Sequence, residues 1–227
     1  MAKKVKKKVR IRVLPILITL VIIGIITAIS YLLALIPIKN IYIKGNNYLT
    51  DQEIIELAGI DEYPSFLKTT KSAMKKNLKK NPYIKKIRIK KKLLAEVHIQ
   101  IEEENILFRN EATGLVILEN KEEVADNNKY SVPILLNYIP DTKYDSFIKG
   151  MNQVKNDVKK YISEIRYYPN EQDDDRFLLY MNDGNYVYLT LTKFKQINYY
   201  GDVLEKLDGK KGILYLDSGN HFKIMEE

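Results

Sequence analysis

The 227-residue chain contains no cysteine, which excludes a disulfide scaffold, a thiolate zinc site and a cysteine nucleophile. That absence suits an oxidising exterior, where a free thiol is a liability. Histidine is nearly absent too, with two residues. His98 stands between Val97 and Ile99 and reads as a surface residue on the strand face opposite the core. His221 opens the last strand, with no carboxylate or second histidine at ligand spacing. Asp173-Asp174-Asp175 lacks the alternating oxygens and the glycine of a calcium loop and reads as a solvated turn. A phosphate-cradling glycine loop, a Gly-x-Ser-x-Gly elbow and a Ser/Lys motif are missing as well. The expectation is a protein with no catalytic residue, no metal and no cofactor, although carboxylates distant in sequence can still meet in a fold.

Acidic residues are absent from positions 1–12, which hold seven basic ones: Lys3, Lys4, Lys6, Lys7, Lys8, Arg10 and Arg12. The rest of the chain carries 30 basic against 29 acidic groups, so nearly all of the net charge of +8 belongs to the tail. Residues 39–95 count 14 basic against 5 acidic, and residues 96–227 count 16 against 24. The order is a basic tail, a basic module and an acidic module.

Charge of either sign is absent from residues 13–38, a run of 26. A helix of that length, at ~1.5 Å per residue, exceeds the ~30 Å hydrocarbon core of a bilayer. Pro15 falls in the first turn, where its missing N–H costs little. Ala28-Ile29-Ser30 has the small-x-small form of a signal cleavage site, but the apolar run continues through Tyr31 to Ile36. Cleavage would leave a hydrophobic stub, so an uncleaved anchor is expected. The basic tail then stays in the cytoplasm and residues 39–227 lie outside.

The first module reads as strand, helix, helix, strand, strand. Ile41 and Ile43 share one strand face, and Gly45-Asn46 turns the chain. Thr50-Asp51-Gln52-Glu53 has the form of a capping box, and Gly59 is placed to close its helix. Leu67, Thr70, Met74 and Leu78 outline a second helix that Asn81-Pro82 stops. Ile87 and Ile89, then Ala95, Val97, Ile99 and Ile101, alternate along two strands. The second module, from Asn105, is mostly β. "ILFRN", "GLVILEN" and "VPILLNYI" are short strands, and "FLLYMNDGNYVYLTL" is a hairpin turning at Asp183-Gly184. Three- and four-residue steps from Phe147 to Ile165 predict one amphipathic helix, weakened at Gly150 by ~1 kcal/mol relative to Ala. A second helix uses Phe194, Ile197, Tyr200, Leu204 and Leu207, with Thr192 as cap and Gly209 as stop. "GILYL", a turn at Asp217-Ser218-Gly219, and "HFKIM" close the chain.

"IYIKGNNYLTDQEIIELAGI", "LKKNPYIKKIRI" and "AEVHIQIEE", in that order after a single anchor, resemble the POTRA module of the FtsQ/DivIB cell-division proteins. "YISEI", the hairpin, "KKGILYLDSG" and a final strand resemble the β domain of the same family. The link Lys90-Lys91-Lys92-Leu93-Leu94 and the end Glu102-Glu103-Glu104 depart from the family's usual proline link and Glu-Arg. The resemblance implies an α+β chain: tail 1–12, anchor 13–38, a β-α-α-β-β POTRA domain over 39–104, and a β domain with two packing helices over 105–227. It also implies a non-enzymatic scaffold at the division septum, with FtsL-like and DivIC/FtsB-like single-pass partners and a regulatory role in septal peptidoglycan synthesis. A membrane-anchored wall enzyme or a wall-polymer sensor is the alternative.

Residues 75–92 hold ten Lys and Arg in 18 positions. Topology places them outside the cell, so nucleic acid is not an expected partner. A solvated face is the plain reading. The sharper one is contact of Lys90, Lys91 and Lys92 with anionic lipid or wall polymer. For protein partners, a terminal strand commonly lies at a sheet edge, where unpaired N–H and C=O groups are blocked or used. Phe222, Ile224 and Met225 are more apolar than a defensive edge needs. In the family the partner adds a strand here, so the resemblance implies docking along His221, Phe222, Lys223, Ile224 and Met225. Leu214, Leu216, Tyr199 and Tyr200 are the expected flanking contacts.

Overall fold

The computed structural model describes residues 13–126 and 129–225, so the basic tail and the terminal Glu226 and Glu227 lie outside the described residues. By contacts the chain divides into two compact units. One runs through Asn46 and takes in Thr50–Lys80 and Ile87–Ile101; the other comprises Asn47–Leu49, Asn81–Lys86 and the chain from Glu102 onward.

The first unit begins with α1 (Val13–Ala34), whose 22 residues are apolar enough to cross a membrane and include none buried by protein. At 1.5 Å per residue it is about 33 Å long. The uncharged run continues to Ile38, yet the helix stops at Ala34. Pro37 disfavours helical backbone at the residue before it. Residues 34–38 pair instead with a loop: Phe66 N–H donates to Ile36 O (2.8 Å) and Ile38 N–H to Pro64 O (3.0 Å). Ser65 Oγ donates to Ala34 O at 2.6 Å, satisfying one of the carbonyls left open at the helix end.

The strand-helix-helix-strand-strand order follows as β1 (Asn40–Lys44), α2 (Asp51–Ala58), α3 (Lys71–Leu78), β2 (Ile84–Lys92) and β3 (Glu96–Glu103). The strands form a three-stranded sheet in the order β1-β3-β2, with β1 parallel to β3. The capping box forms: Glu53 N–H donates to Thr50 Oγ1 (3.2 Å) and Thr50 N–H to Glu53 Oε2 (2.7 Å). Gly59 ends α2 at φ +69°, a left-handed backbone that glycine adopts without strain. Leu67 is not part of α3; it is exposed, and Thr70 starts the helix by accepting from Ala73 N–H at 3.1 Å. Ile54, Ile60, Met74, Leu78, Val97 and Ile99 form the core, each 1% exposed or less.

The second unit contains β4 (Ile106–Asn110), β5 (Val116–Leu118), β6 (Glu123–Val124), β7 (Ile134–Leu135), α4 (Asp141–Asn152), α5 (Asn156–Lys159), β8 (Ile162–Tyr167), β9 (Arg176–Met181) and β10 (Tyr186–Thr190). A 3-10 segment (Leu191–Tyr199) leads into α6 (Tyr200–Lys206), and β11 (Gly212–Tyr215) and β12 (His221–Ile224) close it. The sheet has nine strands in the order β12-β11-β10-β9-β8-β7-β4-β5-β6. The acidic strand end has a structural use within this unit: the Glu103 carboxylate accepts from the backbone N–H groups of Asn47 (2.6 Å), Tyr48 (2.7 Å) and Leu49 (2.9 Å).

The single helix expected from Phe147 to Ile165 is instead α4, α5 and β8. The Asn198 side chain pins the break, accepting from Lys155 N–H and donating to Gln153 O, both at 2.8 Å. Ile162 and Ile165 keep their apolar spacing but become strand residues, because β8 gains a ladder to β9. Thr192 is not a cap; it lies inside the 3-10 segment, and no side chain caps α6.

Gly150 shows why packing overrides propensity. It is buried in α4, and a Cβ there would stand 2.9 Å from the Phe194 ring. Phe194 cannot retreat, since it meets Phe147 and Phe177 edge-on at 5.6 and 5.4 Å. Gly150→Ala should therefore destabilise by about 1–3 kcal/mol through overpacking, outweighing a helix-propensity gain of ~1 kcal/mol. Gly201 in α6 has nothing within 4 Å of such a Cβ, so Gly201→Ala should stabilise by up to about 1 kcal/mol. Urea denaturation of both variants measures the contrast; equal shifts would contradict the packing account.

Candidate functional site

The partner-docking residues expected from sequence fall at one end of the large sheet. β12 is its outermost strand, and among the described residues no strand pairs with its outer side. It runs antiparallel to β11 with Tyr215 opposite His221, Leu214 opposite Phe222, Ile213 opposite Lys223 and Gly212 opposite Ile224. Met225 N–H donates to Lys211 O at 3.0 Å. Hydrogen-bonded pairs alternate along an antiparallel ladder, so Lys223 and His221 bond inward to Ile213 and Tyr215. The backbone groups of Phe222 and Ile224 therefore point away from the sheet. The Lys223 N–H thus serves the ladder and is not an outward donor.

Side chains divide with the same period. His221 stacks on Tyr215 (centroids 4.8 Å apart), which stacks on Tyr188 (5.5 Å). The Arg176 guanidinium covers Tyr188 at 3.6 Å, and its Nε donates to Asp217 Oδ2 at 2.7 Å, tying the turn before β12 back to β9. On the other face Phe222 packs on the core while Ile224 is exposed, as is Met225 beyond it. Of the expected flanking residues, Tyr199 is exposed and Leu214, Leu216 and Tyr200 are buried. Together they line a groove of about 360 Å³ beside the edge, with Tyr199 at the rim.

Sequence reasoning missed the residues that set this register. Gly212 N–H donates to the Asn185 side-chain oxygen at 2.8 Å, and Asn185 in turn donates to the Tyr200 hydroxyl at 3.1 Å. That hydroxyl donates to Asp183 Oδ2 at 2.9 Å. Burial raises the Tyr200 pKa well above the usual phenol range, with Asp183 pushing the same way. A Cβ on Gly212 would lie 2.2 Å from Lys223 O and 2.7 Å from the Phe222 ring, so β12 requires glycine opposite it. The Asp-Gly hairpin was visible in the sequence, but the reach of Asn185 to Gly212 across 27 positions was not.

The three candidate lysines separate. Lys90 and Lys92 are exposed on β2. Lys91 faces the other way: its ammonium donates to Phe66 O and, at 2.8 Å, to Thr69 O, and lies 4.2 Å from the centre of the Phe66 ring. Desolvation lowers its pKa, and nearby Lys71 adds to the effect. Lys91 is therefore a strut for residues 66–69. Nor is His98 a plain surface residue; it is half-buried, stacks on Tyr42 at 4.6 Å and meets Glu96 Oε2 at 3.1 Å.

Among the described residues no group of three or more His, Asp or Glu side chains gathers at metal-binding distance. The most perturbed carboxyl is Glu104, pushed up to about 7 by burial and by its hydrogen bond to Glu119. Against its own burial, Glu119 is held low by the Lys85 ammonium and by bonds from Glu104 and Asn105.

Two family models match the chain: the FtsQ-type POTRA domain over residues 36–104, and the C-terminal domain of cell division protein FtsQ/DivIB over residues 109–218. Cell division protein DivIB of Bacillus subtilis (strain 168) is 30% identical over 195 residues, spanning 82% of this chain and 73% of its own. The chain belongs to the FtsQ/DivIB family. DivIB of Bacillus cytotoxicus is 28% identical over 197 residues, covering 84% of this chain and 77% of its own. The solved extracytoplasmic domain of DivIB from Geobacillus stearothermophilus aligns with 47% of this chain and 96% of its own, at 23% identity and a TM-score of 0.38. An apolar N-terminal helix, a POTRA-type domain and a mostly β domain make up the α+β architecture of this FtsQ/DivIB-family chain. β12 itself follows the last residue matched by the C-terminal model.

Because Glu104 binds its proton more tightly in the fold than in the unfolded chain, its contribution is full below about 4.5 and is lost as pH rises through about 7. Glu104→Gln, a mimic of the protonated form, should flatten that decline in thermal midpoint; an unchanged pH profile would contradict it. Lys91→Ala should lower stability by about 1–2 kcal/mol through two lost carbonyl bonds. Lys90→Glu with Lys92→Glu should leave the midpoint in place and weaken salt-sensitive binding to anionic vesicles.

Proposed function

We propose that this FtsQ/DivIB-family chain is a single-pass scaffold of the bacterial division machinery. In this reading residues 1–12 are a cytoplasmic basic tail and 13–38 an anchor. POTRA residues 39–104 and β-domain residues 105–227 stand outside the membrane, enriched at the septum. Its partners are FtsL-like and DivIC/FtsB-like single-pass proteins, and through them it helps regulate septal peptidoglycan synthesis. Its task is binding rather than catalysis.

The observation that carries this reading is the outer side of β12. Phe222 and Ile224 present backbone groups outward, at the strand beside a groove floored by Leu214, Leu216 and Tyr200. An added strand gains affinity from backbone pairing, and its alternate side chains can enter the groove. Exposed Ile224 and Tyr199 supply the apolar rim such a strand would cover.

Ile224→Pro removes an outward donor without removing a ladder bond and should abolish partner capture while the domain stays folded. Lys223→Pro removes an inward donor and should disturb β12 itself, lowering the thermal midpoint. Co-purification of FtsL-like and DivIC-like proteins from detergent-solubilised membranes reads the first effect, and thermal unfolding the second. Full partner recovery by a folded Ile224→Pro protein would move the docking site away from β12.

A further inference from the structure

The turn between β2 and β3 is out of keeping with a water-facing loop. Leu93 and Leu94 stand at its tip with 90% and 81% of their surfaces open. Leu94 and Ala95 adopt left-handed backbone at φ +67° and +61°, where glycine or asparagine is the usual choice. The tip is anchored to the segment after α1, since Lys39 N–H donates to Ala95 O at 3.0 Å. Between tip and helix end lies a cleft of about 680 Å³, walled by Leu33, Ile36, Phe66, Leu67, Leu93 and Leu94. Leu33 belongs to the last turns of α1, so the cleft is continuous with the surface that faces acyl chains. The cationic side chains at the cleft belong to Lys39, Lys91 and Lys92; Lys91 is committed to the carbonyls of Phe66 and Thr69, while Lys39 and Lys92 are exposed.

We infer that the β2–β3 turn is a second membrane contact: Leu93 and Leu94 enter the outer leaflet that holds α1, and Lys39 and Lys92 meet its anionic headgroups. The inference rests on α1 spanning the bilayer. Water is a poor solvent for two open leucines beside a third, Leu67, whereas acyl chains accept them without loss. Lysine stems run along apolar surface while their ammonium groups remain at headgroup level, which suits the positions of Lys39 and Lys92. The occupant is phospholipid because the cleft shares its wall with the membrane-spanning helix and carries charge opposite to phosphatidylglycerol. Lys91, by bracing residues 66–69, keeps the Phe66–Leu67 wall in place.

The absence of native cysteine makes the test direct. The full-length protein carrying Leu94→Cys, Gly24→Cys or Glu111→Cys is labelled with an environment-sensitive dye. Each is reconstituted as one copy per nanodisc of phosphatidylcholine with phosphatidylglycerol. The Leu94 label should be quenched by lipids spin-labelled just below the headgroup and be several-fold less quenched by aqueous iodide than the Glu111 label. Lys39→Glu with Lys92→Glu should raise iodide access at Leu94 in anionic discs and leave it unchanged in neutral ones. A lipid-buried Gly24 label with an iodide-open Leu94 label would overturn the second contact and leave the anchor standing. Both labels open to iodide would remove the anchor and the inference together. Protection of Leu94 only in discs holding two copies would assign the tip to a contact between chains and overturn the lipid reading.

Discussion

The stitch between residues 34–38 and 64–66 is the constraint on which the first unit depends. Ser65 Oγ, Phe66 N–H and Ile38 N–H close a short ladder immediately after α1. A helix followed by a free linker would let the folded part swivel. Here the loop 64–66 takes the place of a linker, and Pro37 stops the helix from running on past it. The POTRA-type sheet is thereby held at a fixed remove from the end of α1. That placement gives meaning to the exposed leucines of the β2–β3 turn, and it explains why Lys91 is spent on carbonyls while its neighbours remain exposed.

The large sheet solves a different problem, that of keeping an outermost strand in register without a neighbour beyond it. A four-residue strand has few ladder bonds. The deficit is met by side chains. His221 and Tyr215 stack on one face, Phe222 lies over Gly212 on the other, and Arg176 holds Asp217 at the turn. These contacts are made by inward-bonded residues or by the core face. Among the described residues they leave the alternate backbone groups of Phe222 and Ile224 uncommitted, which is the arrangement strand addition requires.

Much of the architecture was legible in the amino-acid order because local rules and the global fold agree there. Thr50 and Glu53 form a capping box wherever the helix starts, and Asp183-Gly184 turns a hairpin in any sheet. Failures arose where two readings share one periodicity. The spacing from Phe147 to Ile165 fits a helix, but Asn198, distant in sequence, breaks it at Gln153–Lys155 and frees Ile162 and Ile165 for a strand. The proposed docking residues His221 to Met225 were suggested by the apolar content of the strand and by the family resemblance, whereas the burial of Leu214, Leu216 and Tyr200 depends on tertiary cover. The direction of the Lys223 N–H depends on which pairs of the ladder are hydrogen-bonded. Neither property is written in a local pattern.

The contact from the Asn185 side chain to Gly212 N–H has a consequence for genetics. A buried amide, 1% exposed, does the work of a ladder bond between β10 and β11, and Tyr200 and Asp183 keep it oriented. Errors at Asn185 or Tyr200 would displace the start of β11 and, with it, the strand laid against β11. A selection for loss-of-function alleles would then recover lesions at Asn185, a buried position that bears on β12 only through β11. Their suppressors would map back to the β11–β12 turn, and an allele map drawn without this network would mistake a buried support for a surface contact.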